Sequence, residues 1–260
     1  PAVLTLIGSS ETGRKIMENG STSVKMYSME LGGNAPVLVF PDADIDLAAS
    51  IVSLLKFANS GQICVTPERV YVHESVHKEF VEKVVEHAKA VKIGHGKDSG
   101  ATMGPIINKK ARERIDSWVQ EAVKDGANLL YGGRVPEDLA EKAAYYMPTV
   151  LDNVKDSMRV SCDEVFGPVV PILSFNDYDD VIKRANSTNV GLASYVFSND
   201  ITTIQKASRD LDFGEIQVNS VKYYIDLPHI GIKQSGLGQD CSHFALEDYM
   251  VKKRITTARL

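Results

Sequence analysis

The sequence lacks the features that would assign it to several large classes of protein. No apolar run approaches the roughly 20 residues that a bilayer span requires, so we expect no membrane-spanning segment. No basic stripe is present and the net charge is −5, so we expect no nucleic-acid partner. The three cysteines have no disulfide-framework spacing, which favours free thiols in a reducing compartment, the cytoplasm. The first residues carry no charged leader, and we expect no signal peptide.

Linkers, internal repeats and low-complexity segments are also absent from the 260 residues. Hydrophobic residues make up 43% and charged residues 24%, a composition that can bury a sizeable core. Strand-like runs alternate with helical patterns, which predicts an α/β fold whose largely parallel, twisted sheet is flanked by helices. Strands are expected at 3–7, 23–29, 37–40, 69–72, 128–131, 146–151, 193–198, 215–219 and 252–258. Helices are expected up to residue 17, around 47–58, and at 76–91, 111–125, 178–186 and 201–211.

A glycine-bounded turn, Gly8 to Gly13, connects the first strand to the first helix. That strand begins abruptly as an apolar run that reads as buried, so we expect the chain to be the C-terminal part of something longer. Where a strand meets a helix through such a turn, unpaired N–H groups and the helix dipole can bind an anion. The pattern is weakly specific by itself, and a helix cap at Ser9 or Ser10 explains it at least equally well.

Glu30 and Cys64 bracket the segment that carries the candidate chemistry. Cysteine catalysis needs a thiolate or a thiol beside a base, and the glycines next to both residues allow backbone to approach a reacting atom. A lone cysteine is more often a small buried hydrophobe, and a lone glutamate is more often solvated surface. The two motifs therefore gain their meaning together. Between them a helix is predicted to bury one face, formed by Leu47, Ile51, Leu54, Leu55 and Ala58.

The other cysteines and the histidines suggest no second centre. Cys162 and Cys241 lack the glycine setting of Cys64 and are expected to be bystanders. No metal site is predicted, because the histidines in the first half are scattered without paired ligand spacing or nearby thiols, at His73, His77, His87 and His95.

Two motifs together identify a family. Glu-Leu-Gly-Gly-Asn-Ala-Pro begins at Glu30, and Gly-Gln-Ile-Cys ends at Cys64, 34 residues further on. This pair closely resembles the aldehyde dehydrogenase superfamily, and the resemblance covers essentially the whole chain. It implies that Cys64 is the nucleophile and Glu30 the general base in the oxidation of an aldehyde to a carboxylic acid with NAD or NADP. It also implies three regions, namely the end of a Rossmann-like dinucleotide domain (1–30), a catalytic domain (31–244), and a C-terminal helix and oligomerisation strand (245–260).

The same resemblance assigns residues to the cofactor. It places the dinucleotide pyrophosphate at Gly8, Ser9 and Gly13, with Leu31 near the bound cofactor. In Asp-Glu-Val-Phe-Gly-Pro, residues 163–168, it assigns Glu164 to the nicotinamide ribose and Phe166 to the nicotinamide ring. Read without the family, this last motif could equally be a turn that enters a strand.

The substrate residues depend on a departure from the family pattern. His229 stands where relatives carry an aromatic side chain beside the aldehyde, and Tyr223 and Tyr224 lie in the preceding loop. Ala58 replaces the bulky aromatic of relatives that favour apolar aldehydes. Hydrogen-bonding side chains suggest a small hydroxylated aldehyde such as glyceraldehyde or lactaldehyde. The alternative is that His229 only caps a turn.

A typical family member is about twice as long, and its upstream half holds the adenosine and a second oxyanion donor. The chain therefore reads as a proteolysed or cloned piece, as a subunit completed by another chain, or as a stand-alone remnant. Two further functions stay open, namely thiol-esterase activity without a hydride acceptor and a non-catalytic assembly module. In the family the C-terminal strand joins a neighbouring subunit, which predicts a homo-oligomer, either a dimer or a tetramer.

Overall fold

A seven-stranded sheet forms the centre of the molecule, whose computed structural model describes residues 1–98 and 100–258. The strands are β1 Val3–Ile7, β2 Met26–Glu30, β3 Ala35–Val39, β4 Pro67–His73, β5 Asn128–Tyr131, β6 Thr149–Asp152, β7 Val169–Phe175, β8 Val190–Gly191, β9 Ala193–Phe197, β10 Glu215–Val218, β11 Ile232–Lys233 and β12 Gly236–Leu237. The order in the main sheet is β10-β9-β3-β4-β7-β6-β5, and only β5 and β6 pair in antiparallel fashion. The predicted α/β fold with a largely parallel sheet is confirmed.

Most helices begin at a residue whose side chain caps the first turn. The helices are α1 Ser10–Gly20, α2 Ile45–Phe57, α3 His77–Ala90, α4 Lys109–Lys124, α5 Arg159–Cys162, α6 Tyr178–Asn186 and α7 Ile201–Asp210, and α3 and α5 are the exceptions. Short 3-10 turns lie at Ala58–Gly61, Glu137–Leu139 and His243–Tyr249. A carboxylate or amide side chain accepts a hydrogen bond from the first turn of α2, α4, α6 and α7, which satisfies N–H groups that have no partner inside the helix.

The core lies on the two faces of the main sheet. Along β3, Val37 and Val39 point into one apolar cluster and Leu38 into the other, because successive side chains of a strand face opposite ways. The first cluster contains the buried residues of α2 and α3, and the second contains those of α4, α6 and α7. Burial on both faces explains why β3 reads as a continuous apolar run.

A smaller sheet, β1-β2-β12, positions Glu30 at the end of β2. Glu30 lies opposite Ile7 in the parallel strand β1 and opposite Gly236 in the antiparallel strand β12. A two-residue bridge between His229 and Asp240 lies in the segment that also contains β12. Because β12 belongs to the region expected as the catalytic domain and yet pairs with β2, the division at residue 30 stays a prediction.

Several predicted elements differ from those observed. The strand expected at 146–151 is β6 Thr149–Asp152, because Pro148 cannot donate to a ladder and Tyr146 packs in the core instead. The strand expected at 23–29 begins only at Met26, and α1 continues to Gly20 instead of ending at residue 17. The burial predicted for one face of α2 is wrong at Leu47 and Leu54, which are 37% and 62% exposed. Since α2 is apolar almost all round, its sequence does not define which face is buried.

The two ends of the chain also differ from expectation. The strand β1 was predicted to be buried, but Ile7 is 81% exposed and β1 lies at an edge of the small sheet. The C-terminal segment expected as a strand, residues 252–258, pairs with no strand within residues 1–98 and 100–258 and is exposed. Its pairing with another subunit stays a prediction. In the described part of the chain, no helix has the length and apolarity that crossing a membrane requires.

Candidate active site

Glu30 is a buried carboxylate without a hydrogen-bond partner. It is 7% exposed, and neither of its oxygens has a hydrogen-bond partner in the part of the chain that the structure describes. Burial raises the pKa of Glu30 to about 7, against the opposing pull of His229, and the neighbouring Asp240 and Glu215 raise it further. A carboxylate with this pKa can accept a proton near neutral pH, as a general base must.

Cys64 is presented by a tight turn at the end of α2. Asn59, Ser60 and Gly61 have φ values of 47°, 58° and 70°. Three successive residues therefore lie in the left-handed region of backbone conformations, which residues other than glycine rarely occupy. Ser60 Oγ donates to the carbonyl of Gly104 at 2.7 Å, which stabilises this turn. Backbone held in such sparsely populated conformations often accompanies a functional site.

Glycine contacts bring three separate motifs together. A Cβ built on Gly33 would lie 2.4 Å from the Cys64 carbonyl oxygen, so only glycine allows the two segments to approach this closely. A Cβ on Gly61 would lie 2.2 Å from the carbonyl oxygen of Gly167. The Gly33 N–H also donates to Glu164 Oε1 at 3.2 Å. The segments that contain Glu30, Cys64 and Glu164 are therefore neighbours.

His229 joins the carboxylate cluster. Its Nδ1 makes a short hydrogen bond to Glu215 Oε1, and its Nε2 lies 3.4 Å from Glu30 Oε2. A hydrogen bond with the Cys64 thiol, and then the bond to Glu215, raises the pKa of His229 to about 10. The imidazole is thus charged at neutral pH, with Nδ1 bonded to Glu215 and Nε2 facing the Glu30 carboxylate. This engagement leaves His229 less able to bind a substrate hydroxyl than the sequence suggests.

The other predicted substrate residues, Tyr223, Tyr224 and Ala58, differ in their exposure and in their hydrogen bonds. Tyr223 is 50% exposed, but its hydroxyl lies 3.1 Å from the hydroxyl of buried Tyr195, which donates to the Val65 carbonyl at 2.7 Å. Tyr224 is 57% exposed and has no side-chain hydrogen bond within the described residues. Ala58 is half-buried at the end of α2. Of these three, Tyr223 therefore has the clearest structural connection to Cys64.

The first helix offers a site for an anionic group. Ser9 caps α1 by accepting from Thr12 N at 3.2 Å, so the helix-cap interpretation of this serine is correct. Gly13 allows Leu31 to pack against α1, because a Cβ there would lie 2.9 Å from Leu31 Cδ1. Gly8 N donates to the Glu30 carbonyl oxygen at 3.0 Å, which ties this turn to the end of β2. Amides of the first turn of a helix that lack intrahelical partners suit a pyrophosphate.

Glu164 provides a second polar contact suited to a dinucleotide. Burial, followed by the neighbouring charge of Glu68, raises the pKa of Glu164 to about 7. Glu68 is itself paired with the buried Lys56 at 2.5 Å. Phe166 is 38% exposed and has a left-handed φ of 49°, so its ring remains accessible. A carboxylate beside an accessible ring and a helix N-terminus fits the chemistry of NAD or NADP.

Sequence patterns missed several polar members of the cluster. Three such residues occur in no sequence motif. Glu215 bonds to His229, Asp240 raises the pKa of Glu30, and Tyr195 contacts Tyr223. The sequence offers one local signal, the glycine before Glu215. The structure explains this glycine, because a Cβ on Gly214 would lie 1.8 Å from the Ile230 carbonyl oxygen. No cluster of three or more metal-binding side chains occurs in the described residues.

Comparisons with known proteins agree with this geometry. The aldehyde dehydrogenase family profile matches residues 1–255. Succinate-semialdehyde dehydrogenase (NADP(+)) 2 of Schizosaccharomyces pombe is 38% identical over 260 residues, which are 99% of this chain and 52% of that protein. The 3-sulfolactaldehyde dehydrogenase of Pseudomonas putida is 39% identical over 249 residues, which are 95% of this chain and 51% of that protein.

Solved structures give the same result. Lactaldehyde dehydrogenase from Escherichia coli superposes with a TM-score of 0.91 and 34% identity, over 95% of this chain and 52% of that chain. The chain spans about half the length of the curated relatives that it matches. The shared fold, the profile match and the convergence of the three motifs show that this chain belongs to the aldehyde dehydrogenase family.

Proposed function

We propose that the protein containing this chain oxidises an aldehyde to a carboxylic acid with NAD or NADP. The observation that carries this proposal is Glu30, a buried carboxylate without a hydrogen-bond partner whose pKa is about 7, placed in the same cluster as Cys64. A nucleophilic thiol and a general base in one buried site are what a covalent thioester mechanism needs. The family membership of the chain supports the same reaction.

In the first half of the reaction, the Cys64 sulfur attacks the aldehyde carbon and forms a thiohemiacetal. The Cys64 N–H can donate to the developing oxyanion, since it makes no other hydrogen bond within the described residues. The nicotinamide cofactor, when bound, supplies the hydride acceptor that makes this an oxidation. The product on Cys64 is then a thioester.

In the second half, Glu30 removes a proton from water, which attacks the thioester carbon. The carbon–sulfur bond breaks, the carboxylic acid leaves, and the Cys64 sulfur is regenerated. General-base assistance of this kind contributes about 10²- to 10⁴-fold. Because burial disfavours the charged form of Glu30, its carboxylate is a stronger base than an exposed glutamate.

Residues of this chain can hold both ends of the cofactor that the reaction uses. The α1 N-terminus after Gly8 and Ser9, with Gly13 behind it, would take the pyrophosphate, and Leu31 packs beside this turn. Glu164 would accept hydrogen bonds from the nicotinamide ribose hydroxyls. The geometry of these residues supports a nicotinamide dinucleotide, NAD or NADP.

The substrate that we propose is a small, neutral hydroxyaldehyde such as glyceraldehyde or lactaldehyde. The charged groups that act most on Glu30 are His229, Asp240 and Glu215, two of which are carboxylates. Such a site disfavours an aldehyde that carries its own negative charge. The Tyr223 hydroxyl can bond a substrate hydroxyl while Tyr195 orients it. Among the similar structures, the lactaldehyde dehydrogenase of Escherichia coli is named for a neutral 2-hydroxyaldehyde.

Steady-state kinetics of the full-length gene product test both proposals. Formation of reduced nicotinamide is followed with glyceraldehyde, lactaldehyde, propanal and succinate semialdehyde, with NAD and NADP separately. We expect kcat/KM for glyceraldehyde to exceed that for propanal by at least tenfold, and Tyr223→Phe to reduce only the former. A preference for propanal or succinate semialdehyde would overturn the substrate proposal. Ester hydrolysis without any aldehyde oxidation would overturn the reaction itself.

We also propose that the C-terminal segment pairs with a second copy of the chain in a dimer or tetramer. Val251 and Ile255 are 92% and 80% exposed, and residues 252–258 have no ladder partners among the residues that the structure describes. Unpaired extended backbone beside apolar side chains favours strand addition. Light scattering of the full-length protein should show an oligomer that a deletion from residue 252 dissociates, and an unchanged mass would contradict this arrangement.

A further inference from the structure

We propose that Glu68 and Arg114 are positioning residues, which hold the two peptide groups of Val165 and thereby place the cofactor contacts on either side of it. Val165 is the middle residue of the cofactor segment, residues 164–166, whose outer members are Glu164 and Phe166. This inference rests on the proposed binding of NAD or NADP. It gives a role to two side chains that the reaction described above does not use.

Two hydrogen bonds hold the backbone of Val165. Its N–H donates to Glu68 Oε2 at 3.0 Å, and its carbonyl oxygen accepts from Arg114 Nη2 at 2.8 Å. Val165 is completely buried, so water cannot replace either partner. Both partners are ionic groups, whose hydrogen bonds are roughly twice as strong as those between neutral groups. The cofactor segment therefore depends on side chains that belong to two other elements, β4 and α4.

Glu68 also bonds the segment that carries the nucleophile. Its second oxygen, Oε1, accepts from Lys56 Nζ at 2.5 Å and from Thr66 Oγ1 at 3.2 Å. Lys56 lies in the last turn of α2, and Thr66 lies two residues after Cys64. One buried carboxylate thus contacts both the cysteine segment and the cofactor segment. We infer that Glu68 fixes the position of one segment relative to the other.

Packing restrains Arg114 and the helix that carries it. The guanidinium carbon lies 4.5 Å from the centroid of the Trp118 ring, one turn further along α4. Stacking of this kind is favourable for an arginine over an aromatic ring. A Cβ built on Gly167 would lie 2.6 Å from Ile115 Cδ1, so only glycine lets α4 approach the end of the cofactor segment this closely. Arg114 is therefore a fixed donor for the Val165 carbonyl.

The backbone of the cofactor segment needs such support. Phe166 has a φ of 49°, in the left-handed region that a bulky residue rarely occupies. A strained conformation of this kind persists only where the surrounding structure holds it. The Phe166 ring is 38% exposed and supplies little of that restraint itself. The restraint falls on the preceding residue, Val165, whose N–H and carbonyl are the groups that Glu68 and Arg114 bind.

Hydrogen exchange of the peptide that contains Val165, measured by mass spectrometry on the full-length protein, tests these bonds. Two double variants both remove the ion pair between Lys56 and Glu68 and differ at one bond. Lys56→Met/Glu68→Gln keeps a carbonyl oxygen that can accept from the Val165 N–H, whereas Lys56→Met/Glu68→Met has no acceptor. We expect the Val165 amide to exchange at least about tenfold faster in the variant without the acceptor.

The Kd for NAD and for NADP, measured by calorimetry at a temperature where each variant is folded, tests the positioning role. The Kd should be about tenfold higher in Lys56→Met/Glu68→Met than in Lys56→Met/Glu68→Gln, because Glu164 is no longer fixed at the ribose. Arg114→Gln should raise the Kd of the otherwise unmodified protein by a similar factor. Arg209→Gln makes the same change at an exposed arginine of α7 and should bind the cofactor normally.

Each outcome decides the proposal. An equal Kd in the two double variants would remove Glu68 from this role, and an unchanged Kd in Arg114→Gln would remove Arg114. Faster exchange of the Val165 amide with an unchanged Kd would make the bonds purely structural, which also overturns the proposal. If either double variant does not fold, the half-buried Arg114 supplies the deciding variant.

Failure of the proposed function gives a different result. If the unmodified protein binds neither NAD nor NADP, the proposed oxidation is wrong, and the role of Glu68 and Arg114 in cofactor binding is wrong with it. If the unmodified protein binds the cofactor and the variants bind it equally well, only the positioning role is rejected.

Discussion

The carbonyl oxygen of Cys64 lies against Gly33, on the side where any other residue would carry its Cβ. A Cβ built on Gly33 would be 2.4 Å from that oxygen. Through this contact the segment that follows Glu30 lies directly against the segment that ends in Cys64. The same glycine donates its N–H to Glu164. One backbone position therefore sets the relative placement of the proposed base, the proposed nucleophile and the proposed ribose ligand.

Gly33→Ala should damage both activity and stability. The added methyl group must displace the Cys64 backbone, and a misplacement of about 1 Å can cost about 10²-fold in rate. Overpacking of this kind costs about 1–3 kcal/mol in the free energy of unfolding. Activity and thermal unfolding are compared with Gly96→Ala, where a Cβ meets nothing within 4 Å. Equal behaviour of the two variants would show that the Gly33 contact is unimportant.

The pH dependence of turnover should report Glu30. Because the pKa of Glu30 is about 7, the carboxyl group is protonated below this pH and cannot accept a proton from water. The rate of thioester hydrolysis should therefore rise about tenfold per pH unit below pH 7 and level off above it. Glu30→Gln should lose about 10²-fold or more in steady-state turnover, keep a first burst of acylation, and lose this acidic limb. If the rate of Glu30→Gln still falls below pH 7, a group other than Glu30 causes the pH dependence.

Glu164 should make cofactor binding depend on pH. Its pKa is about 7, so the carboxylate that accepts the ribose hydrogen bonds is lost as the pH falls through that value. The Kd for NAD or NADP, measured by calorimetry on the full-length protein, should rise below pH 7. Glu164→Gln should weaken binding about 10-fold or more, since hydrogen bonds to a charged group are worth about 1.5–3 kcal/mol. Asp163→Asn, at an exposed neighbour, is the control and should bind normally.

The free energy of unfolding should depend strongly on the buried ion pair between Lys56 and Glu68. Lys56 is fully buried, and its ammonium lies 2.5 Å from Glu68 Oε1. Lys56→Met would leave Glu68 as an uncompensated buried charge, so we expect a loss of about 3–5 kcal/mol in denaturant unfolding. The double variant Lys56→Met/Glu68→Gln removes both charges and should recover much of that loss. A double variant as unstable as Lys56→Met would mean that packing, and not charge, causes the effect.

The sequence predicted the fold because its signals are local and repeated. Alternating strand runs and capped amphipathic helices recur along the chain, and the motifs around Glu30 and Cys64 mark the strand end and turn that carry them. Errors arose where the local pattern was ambiguous, as on α2, where Leu47 and Leu54 are apolar but exposed. Periodicity cannot choose a buried face on a helix that is apolar almost all round.

The sequence did not predict the polar cluster around His229, because that cluster depends on contacts between distant segments. The bond between His229 and Glu215 joins residues 14 positions apart across a close backbone contact at Gly214, which no period or turn pattern encodes. The left-handed backbone conformation of Asn59 and Ser60 was not predicted for a related reason. In a sequence, glycine is the usual sign of such a conformation, and neither residue is a glycine. Hydrogen bonds hold both residues in place, from Asn59 Nδ2 to the Gln62 carbonyl at 3.0 Å and from Ser60 Oγ to the distant Gly104 carbonyl at 2.7 Å.

Trapping the acyl-enzyme tests the roles of Cys64 and Glu30 most directly. Full-length Glu30→Gln is mixed with glyceraldehyde and NAD or NADP, quenched in acid, digested and analysed by peptide mass spectrometry. We predict an acyl group on the peptide that contains Cys64, its absence in Glu30→Gln/Cys64→Ala, and a loss of turnover of at least about 10³-fold in Cys64→Ala alone. An acyl group on Cys162 or Cys241, or turnover that survives in Cys64→Ala, would contradict the proposed mechanism.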